Sequence, residues 1–223
     1  TDKPVVCVGR FTSPDTMVSQ IERGITDMIG AARPSIADPF LPNKIEEGRN
    51  EDIRECIGCN ICVAAENTTS LFRCTQNPTA GEEWRRGWHP EKIAKQGSDS
   101  GVLIVGAGPA GLECARALGM RGYTVHVAEA RDEVGGRVNF EASLPGLAAW
   151  GRVRDYRTSQ IDKMKNVEIH TGAELSAQDI LDYGAEIVVM ATGSTWRRDG
   201  CAYTNTHAIP GCDGNRVFTP DDI

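Results

Sequence analysis

Three glycines at fixed spacing, Gly106-Ala-Gly108-Pro-Ala-Gly111, constrain this chain more than any other feature of its sequence. They follow an apolar run, Val102-Leu-Ile-Val105, and lead into Gly111 to Arg121, which reads as a helix. Thr124 to Glu129 then reads as a second strand. Strand, tight turn, helix and strand in that order commit the region to a parallel sheet. Each glycine has its own use. Gly106 allows the turn, Gly108 lets a pyrophosphate approach the backbone, and Gly111 lets helix and strand pack closely. The helix N-terminus faces the phosphates. Glu129, about 20 residues on, is placed to accept hydrogen bonds from ribose hydroxyls. Its charge would repel a 2′-phosphate, which disfavours NADP. A lone glycine pattern is weak, but with strand, helix and acid all in place it predicts an adenine-nucleotide site in a Rossmann-like fold.

Two further motifs point the same way. Gly135-Gly136-Arg137 is a double glycine with a basic residue of the kind that recurs in FAD-binding domains; otherwise it is a plain turn. Ala191-Thr192-Gly193, after an apolar run at 187–190 that reads as a buried strand, belongs to the same group of flavoprotein folds.

The chain has eight cysteines, and four fall between Cys56 and Cys74 with the spacing Cys56-x2-Cys59-x2-Cys62-x11-Cys74. No secretory signal precedes them, so metal is preferred over disulfides. Three thiolates at successive x2 intervals can wrap one face of a 4Fe–4S cubane, and the fourth closes it from a distance. Gly58 and Asn60 suit a loop whose backbone N–H groups must approach sulfur. Zinc is the main competitor, although its sites usually use two separated pairs. Cys7 and Cys114 read as small buried hydrophobes. Cys201 and Cys212 lie in a loop-like tail and are assigned nothing.

The rest of the chain divides by texture. Pro4 to Val8 reads as a buried strand ending at Gly9-Arg10. Pro14 to Gly24 reads as a helix with Ser13 as N-cap, and Asp27 to Ala32 as a second strand ending at Arg33. This is the strand–helix–strand unit of a parallel sheet. If these are the last two strands of a (β/α)8 barrel, Gly9, Arg10, Ala32 and Arg33 lie at its usual phosphate site; the alternative is a pair of surface arginines. Residues 49–98 lack hydrophobic periodicity, and such a stretch usually needs a metal staple. A polar linker is expected from Lys92 to Ser100, around Gly97. The expected architecture is therefore α/β. Barrel-end strands span 1–48, a cluster segment 49–98, and an incomplete nucleotide-binding domain 99–223.

Composition excludes some functions. With 40% hydrophobic residues the chain can build a core, and its net charge of -7 argues against nucleic acid or an anionic membrane as partner. No apolar run is long enough to span a bilayer. The start at Thr1-Asp2-Lys3-Pro4 and the end at Asp222-Ile223 suggest a piece of a longer enzyme. His89, His126, His170 and His207 show no partner spacing, and His126 and His170 read as structural residues on strands. The stretch from Glu82 to Pro90, rich in arginine and tryptophan, has no role that periodicity can supply. No nucleophilic triad or paired-carboxylate site is visible.

Four stretches together resemble the trimethylamine, dimethylamine and histamine dehydrogenase family. They are Ala32-Arg-Pro-Ser-Ile-Ala-Asp-Pro39, Cys56-Ile-Gly-Cys-Asn60, Cys74-Thr-Gln-Asn-Pro78 and Gly81-Glu-Glu-Trp-Arg-Arg-Gly-Trp-His-Pro90. The resemblance covers nearly the whole chain; the wider group includes 2,4-dienoyl-CoA reductase and shares an old-yellow-enzyme barrel. It implies an FMN barrel, a 4Fe–4S cluster just after it, and a Rossmann domain holding ADP, or FAD in the reductases. It implies Cys56, Cys59, Cys62 and Cys74 as cluster ligands. Gly9, Arg10, Ala32 and Arg33 match the FMN-phosphate site, and Gly106, Gly108, Gly111, Glu129, Gly136 and Arg137 the nucleotide site. A small amine substrate, an electron-transfer flavoprotein as acceptor, a homodimer and a cytoplasmic location are also implied. No residue here matches the family's flavin-linking cysteine or its catalytic acid–base groups. The rival readings are an NADPH-dependent dienoyl-CoA-reductase-like enzyme and a stand-alone electron-transfer module. Arg33 precedes Cys56 by only 23 residues. An intervening helix-like stretch, 39–48, rises about 15 Å, so the cluster is expected close to the barrel rim.

Overall fold

A computed structural model of the chain describes residues 2–68, 70–96, 99–202, 205–212 and 217–222. Gly97 and Ser98 of the expected linker, and the terminal Thr1 and Ile223, lie outside the described residues. The chain forms two compact units, residues 1–191 and 192–223.

The first unit opens with β1 (Val6–Val8), α1 (Pro14–Glu22) and β2 (Met28–Gly30). The two strands pair in parallel, with Val6 opposite Met28 and Val8 opposite Gly30. Pro14 stands in the first turn of α1, and Ser13 takes the N-cap position without a side-chain cap bond. Two expectations need correction. β1 is not buried: Val6 and Val8 are exposed, because a two-stranded sheet gives that face nothing to pack against. β2 stops at Gly30, and Ala32 and Arg33 instead open α2 (Ala32–Ala37). Pro34 falls in the first turn of α2, where its missing N–H costs nothing. Next comes α3 (Leu41–Glu46), shorter than the helix-like stretch predicted.

Residues 49–96 carry a short 3-10 turn, Asn50–Asp52, then α4 (Ile61–Asn67) and α5 (Glu83–Arg86). The two largest of their few buried apolar side chains belong to neighbours' clusters. Ile53 packs with Met17 and Leu41, and Ile57 with Val138 and Val153. Buried polar groups do the rest. Lys44 Nζ donates to Asp38 (2.6 Å) and to the Asp52 carbonyl (2.7 Å). The Arg54 amide donates to Asp38 (2.9 Å) and its guanidinium to the Pro90 carbonyl (2.7 Å). Asn77 donates to the Ile36 carbonyl, and Gln76 to the carbonyls of Glu55 and Arg152.

The Rossmann-like sheet comprises β3 (Gly101–Val105), β4 (Thr124–Ala128), β5 (Val167–His170) and β6 (Ile187–Met190). All pairings are parallel, in the order β5-β4-β3-β6. Between the strands run α6 (Pro109–Arg121), α7 (Arg137–Ser143), α8 (Arg152–Asp162) and α9 (Ala177–Tyr183). Val102, Ile104, Val125 and Val127 project to one face and bury against Leu112, Ala115 and Ile161. Leu103, Val105 and Ala128 project to the other face, under Ile180 of α9. Among the described residues β6 pairs only with β3 and forms a sheet edge, so the run read as buried is instead exposed at Ile187, Val188 and Met190.

In the second unit the Ile209 amide donates to the Asp199 carbonyl (2.9 Å), and Pro220–Asp222 form a 3-10 turn. Among the described residues, no helix is long and apolar enough to cross a membrane.

Candidate functional site

The glycine loop leaves β3 at Gly106, whose φ of 105° is open to glycine alone at little strain. A Cβ on Gly111 would lie 1.9 Å from the Gly106 carbonyl oxygen, so α6 can close on the strand only with glycine there. Gly108 is the N-cap of α6, and a Cβ there would meet nothing within 4 Å: this is open space at a helix N-terminus. Gly136 stands against it, since its own Cβ would come within 3.2 Å of Gly108 Cα. Arg137 opens α7, so Gly135-Gly136-Arg137 is a helix start and not a plain turn. The Gly135 amide donates to the Ala107 carbonyl (2.8 Å), holding the second glycine turn against the first.

Glu129 follows β4 and is buried. Its carboxylate accepts the Ala107 amide (2.7 Å) and the Arg131 amide (3.0 Å). It therefore braces the glycine loop, and each oxygen keeps a lone pair for a further donor such as a ribose hydroxyl.

Cys56, Cys59, Cys62 and Cys74 are free thiols, each half-buried. Cys62 sits in α4, whereas the other three lie on loops. Gly58 and Asn60 both take left-handed backbone conformations, φ 73° and 57°, which turn the loop between the thiols. Burial pushes the Cys74 thiol up in pKa; the backbone amides of Asn77 and Gln76 pull it back, and nearby Cys59 and Cys56 add to the rise.

The arginines of the first segment meet this loop. Arg10, itself at φ 52°, lays its guanidinium on Gly58, where a Cβ would be 2.7 Å from Arg10 Nη1. Arg33 Nη1 donates to Asn60 Oδ1 (2.8 Å). Gly9 packs under the Phe11 ring.

The Glu82–Pro90 stretch has a local purpose. Glu82 bridges Arg85 and Arg86, the Arg86 guanidinium lies over Trp88 (4.9 Å), and His89 stacks on Phe40 (5.4 Å). Trp84 stands 85% exposed. Two histidines read as partnerless are not: His126 Nδ1 lies 3.3 Å from His170 Nε2, beside Glu168. Finding that group from sequence needs the strand register, because the partners are 44 residues apart. Cys114 packs against the core cluster, but it and Cys7 are both only half-buried, not buried as expected.

Comparison with known proteins places these elements. Residues 1–52 match the NADH:flavin oxidoreductase / NADH oxidase family, and residues 104–198 match the NAD(P)-binding Rossmann-like domain. Dimethylamine dehydrogenase of Hyphomicrobium sp. (strain x) is 53% identical over 100% of this chain and 31% of its own length. The structure of histamine dehydrogenase from Rhizobium sp. 4-9 is 60% identical, with a TM-score of 0.87 over 94% of this chain and 30% of that one. The structure of 6-hydroxypseudooxynicotine amine oxidase from Pseudomonas geniculata N1 is 56% identical, with a TM-score of 0.90 over 100% of this chain and 33% of that one. The chain thus spans about a third of the length of these relatives. Over that span, a barrel-end segment joined to a parallel four-stranded Rossmann-like sheet, the chain belongs to the trimethylamine, dimethylamine and histamine dehydrogenase family.

Proposed function

We propose that this chain is the electron-handling section of an amine dehydrogenase that oxidises a small amine and passes the electrons to an electron-transfer flavoprotein. The observation that carries the reading is the meeting of Arg10 and Arg33 with Gly58 and Asn60. The two arginines assigned to a flavin phosphate touch the loop that spaces Cys56, Cys59 and Cys62, which supports a flavin site and a cluster site lying side by side.

The residues fit the groups assigned to them. Four half-buried thiols in a loop turned by Gly58 and Asn60 suit a 4Fe–4S cubane held by Cys56, Cys59, Cys62 and Cys74. Gly9, Arg10, Ala32 and Arg33 would hold the FMN phosphate. The open space at Gly108, walled by Gly136, suits a pyrophosphate, with Gly106 and Gly111 shaping the turn and Arg137 beside it. Glu129 would receive the ribose hydroxyls of ADP, or of FAD. When bound, FMN supplies two-electron oxidation of the amine and the cluster supplies one-electron carriage away from it. The protein positions these groups: Asn60 orients Arg33, Arg10 covers Gly58, and the amides of Gln76 and Asn77 point at Cys74. The same reading divides the chain into 1–48, 49–98 and 99–223, and makes the full-length protein a cytoplasmic homodimer.

The test uses full-length protein purified without oxygen. It should contain about four iron atoms per chain and release an adenine nucleotide on heat denaturation. Cys62→Ser should leave flavin bleaching by amine largely intact and abolish turnover with an electron-transfer flavoprotein. Normal turnover in that variant would make the cluster structural, and stoichiometric zinc in place of iron would end the cluster assignment.

A further inference from the structure

We propose that His126, Glu168 and His170 form a divalent-metal site on the Rossmann-like sheet, suited to an ion of the Zn2+ class. The parallel register sets Glu168 of β5 opposite His126 of β4, and His170 lies two positions further along β5. Residues two apart on a strand share a face, so all three side chains rise from the same side of the sheet. His126 Nδ1 is 3.3 Å from His170 Nε2, and Glu168 Oε2 is 3.7 Å from each of those nitrogens. The point in their plane equidistant from these three atoms lies about 2.1 Å from each, the length of a Zn–N or Zn–O bond. A hydrogen bond between the two imidazoles would account for the first distance alone. It places no demand on where the carboxylate stands.

The donors are held in place. The two imidazoles run nearly parallel, 8° between planes and 5.6 Å between centroids. The Tyr183 ring of α9 stands edge-on to His126 at 6.0 Å, which restrains that ring. Two imidazoles and one carboxylate favour zinc and its borderline neighbours over the oxygen-seeking Mg2+ and Ca2+. Glu168 and His170 are exposed, so an ion can enter from solvent and keep water in its remaining position. β5 is an edge strand. An ion shared by His126 on β4 and two ligands on β5 pins that edge to the sheet.

The experiment uses full-length protein with its cysteines occupied by their cluster, or alkylated if no iron is present, so that thiolates cannot compete. Zn2+ is titrated by calorimetry into wild type, His126→Ala, His170→Gln and Glu168→Gln. Wild type should bind one equivalent. Each histidine variant should lose more than the roughly 10–100-fold in affinity that loss of an outer supporting partner causes. Cu2+ in place of Zn2+ should give an EPR spectrum with hyperfine structure from two nitrogens. The thermal midpoint should rise with Zn2+ in wild type and stay fixed in His126→Ala. Retained adenine nucleotide in each variant confirms that the sheet is folded. Absence of a saturable equivalent in wild type, or equal Zn2+ affinity in wild type and the folded histidine variants, overturns the site.

Discussion

Residues 101–191 and residues 38–91 both contain side chains withdrawn wholly from solvent, but of opposite kinds. In the first stretch these are Val102, Ile104, Leu112, Val125 and Val127. In the second they are Asp38, Lys44, Arg54, Gln76 and Asn77. An apolar core is cohesive without direction, so other side chains of similar volume can serve. A buried ionic network is directional: each member is affordable only because particular partners satisfy it. The loops that carry Cys56, Cys59 and Cys74 border the second kind of interior, where Gln76 and Asn77 are held by named carbonyls and not by general stickiness.

Matched substitutions can break that contrast. Lys44→Met keeps the volume but leaves the Asp38 carboxylate buried beside an apolar chain. It should cost about 3–5 kcal/mol, read as a fall in denaturant midpoint, whereas Leu112→Met should cost less than about 1.5 kcal/mol. Equal losses would mean that the two interiors respond alike. A smaller effect is expected of Gly111→Ala. Its methyl would collide with the Gly106 carbonyl, so the turn must shift, at about 1–3 kcal/mol. Release of adenine nucleotide should accompany the loss, because both glycines shape the same cradle. Unchanged nucleotide content would show that the strand–helix approach is looser than this geometry requires.

The smallest effect concerns pH. Burial alone would raise the Asp52 pKa, but hydrogen bonds from Lys163, Gln160 and Arg49 overcome it and hold the carboxyl at about 2, against an ordinary 3.8. A depressed carboxyl contributes its full stability above its unfolded pKa and loses it as pH falls through the folded one. Asp52 should therefore add to stability above about pH 4 and lose that contribution between about pH 4 and 2. These partners are partly exposed, so the gain is at most about 1 kcal/mol. The stability difference between wild type and Asp52→Asn should vanish over that window. A difference independent of pH would assign Asp52 a purely steric part.

The same contrast explains what could be read from sequence. β3, the glycine loop, α6, β4 and Glu129 were legible, because periodicity and turn chemistry are local properties. α8 was not: among its buried positions Arg157 stands with Val153, Tyr156 and Ile161, so a charge interrupts the apolar stripe. α7 was hidden because a double glycine serves a helix start as well as a turn. The exposure of β1 and β6 depends on which strands pair beside them, which no single segment encodes. The spacing of Cys56, Cys59, Cys62 and Cys74 stood out at once. The ties of Arg33 to Asn60 and of His126 to His170 join residues distant in sequence, and appear only once the chain is folded.

Sequence distance also sets a timetable. Gln76 is tied to Arg152, 76 residues on, and Asp52 to Lys163, 111 residues on. Contacts so far apart close late, after the intervening chain exists and has paid for its loop. At a synthesis rate of about 5–20 residues per second, the cysteine loop waits on the order of 5–20 seconds for α8 to leave the ribosome. During that interval four thiols are displayed without the scaffold that spaces them. If they hold the proposed cluster, the cell must either keep them reduced until the Rossmann-like half arrives, or deliver iron and sulfide only after it has folded.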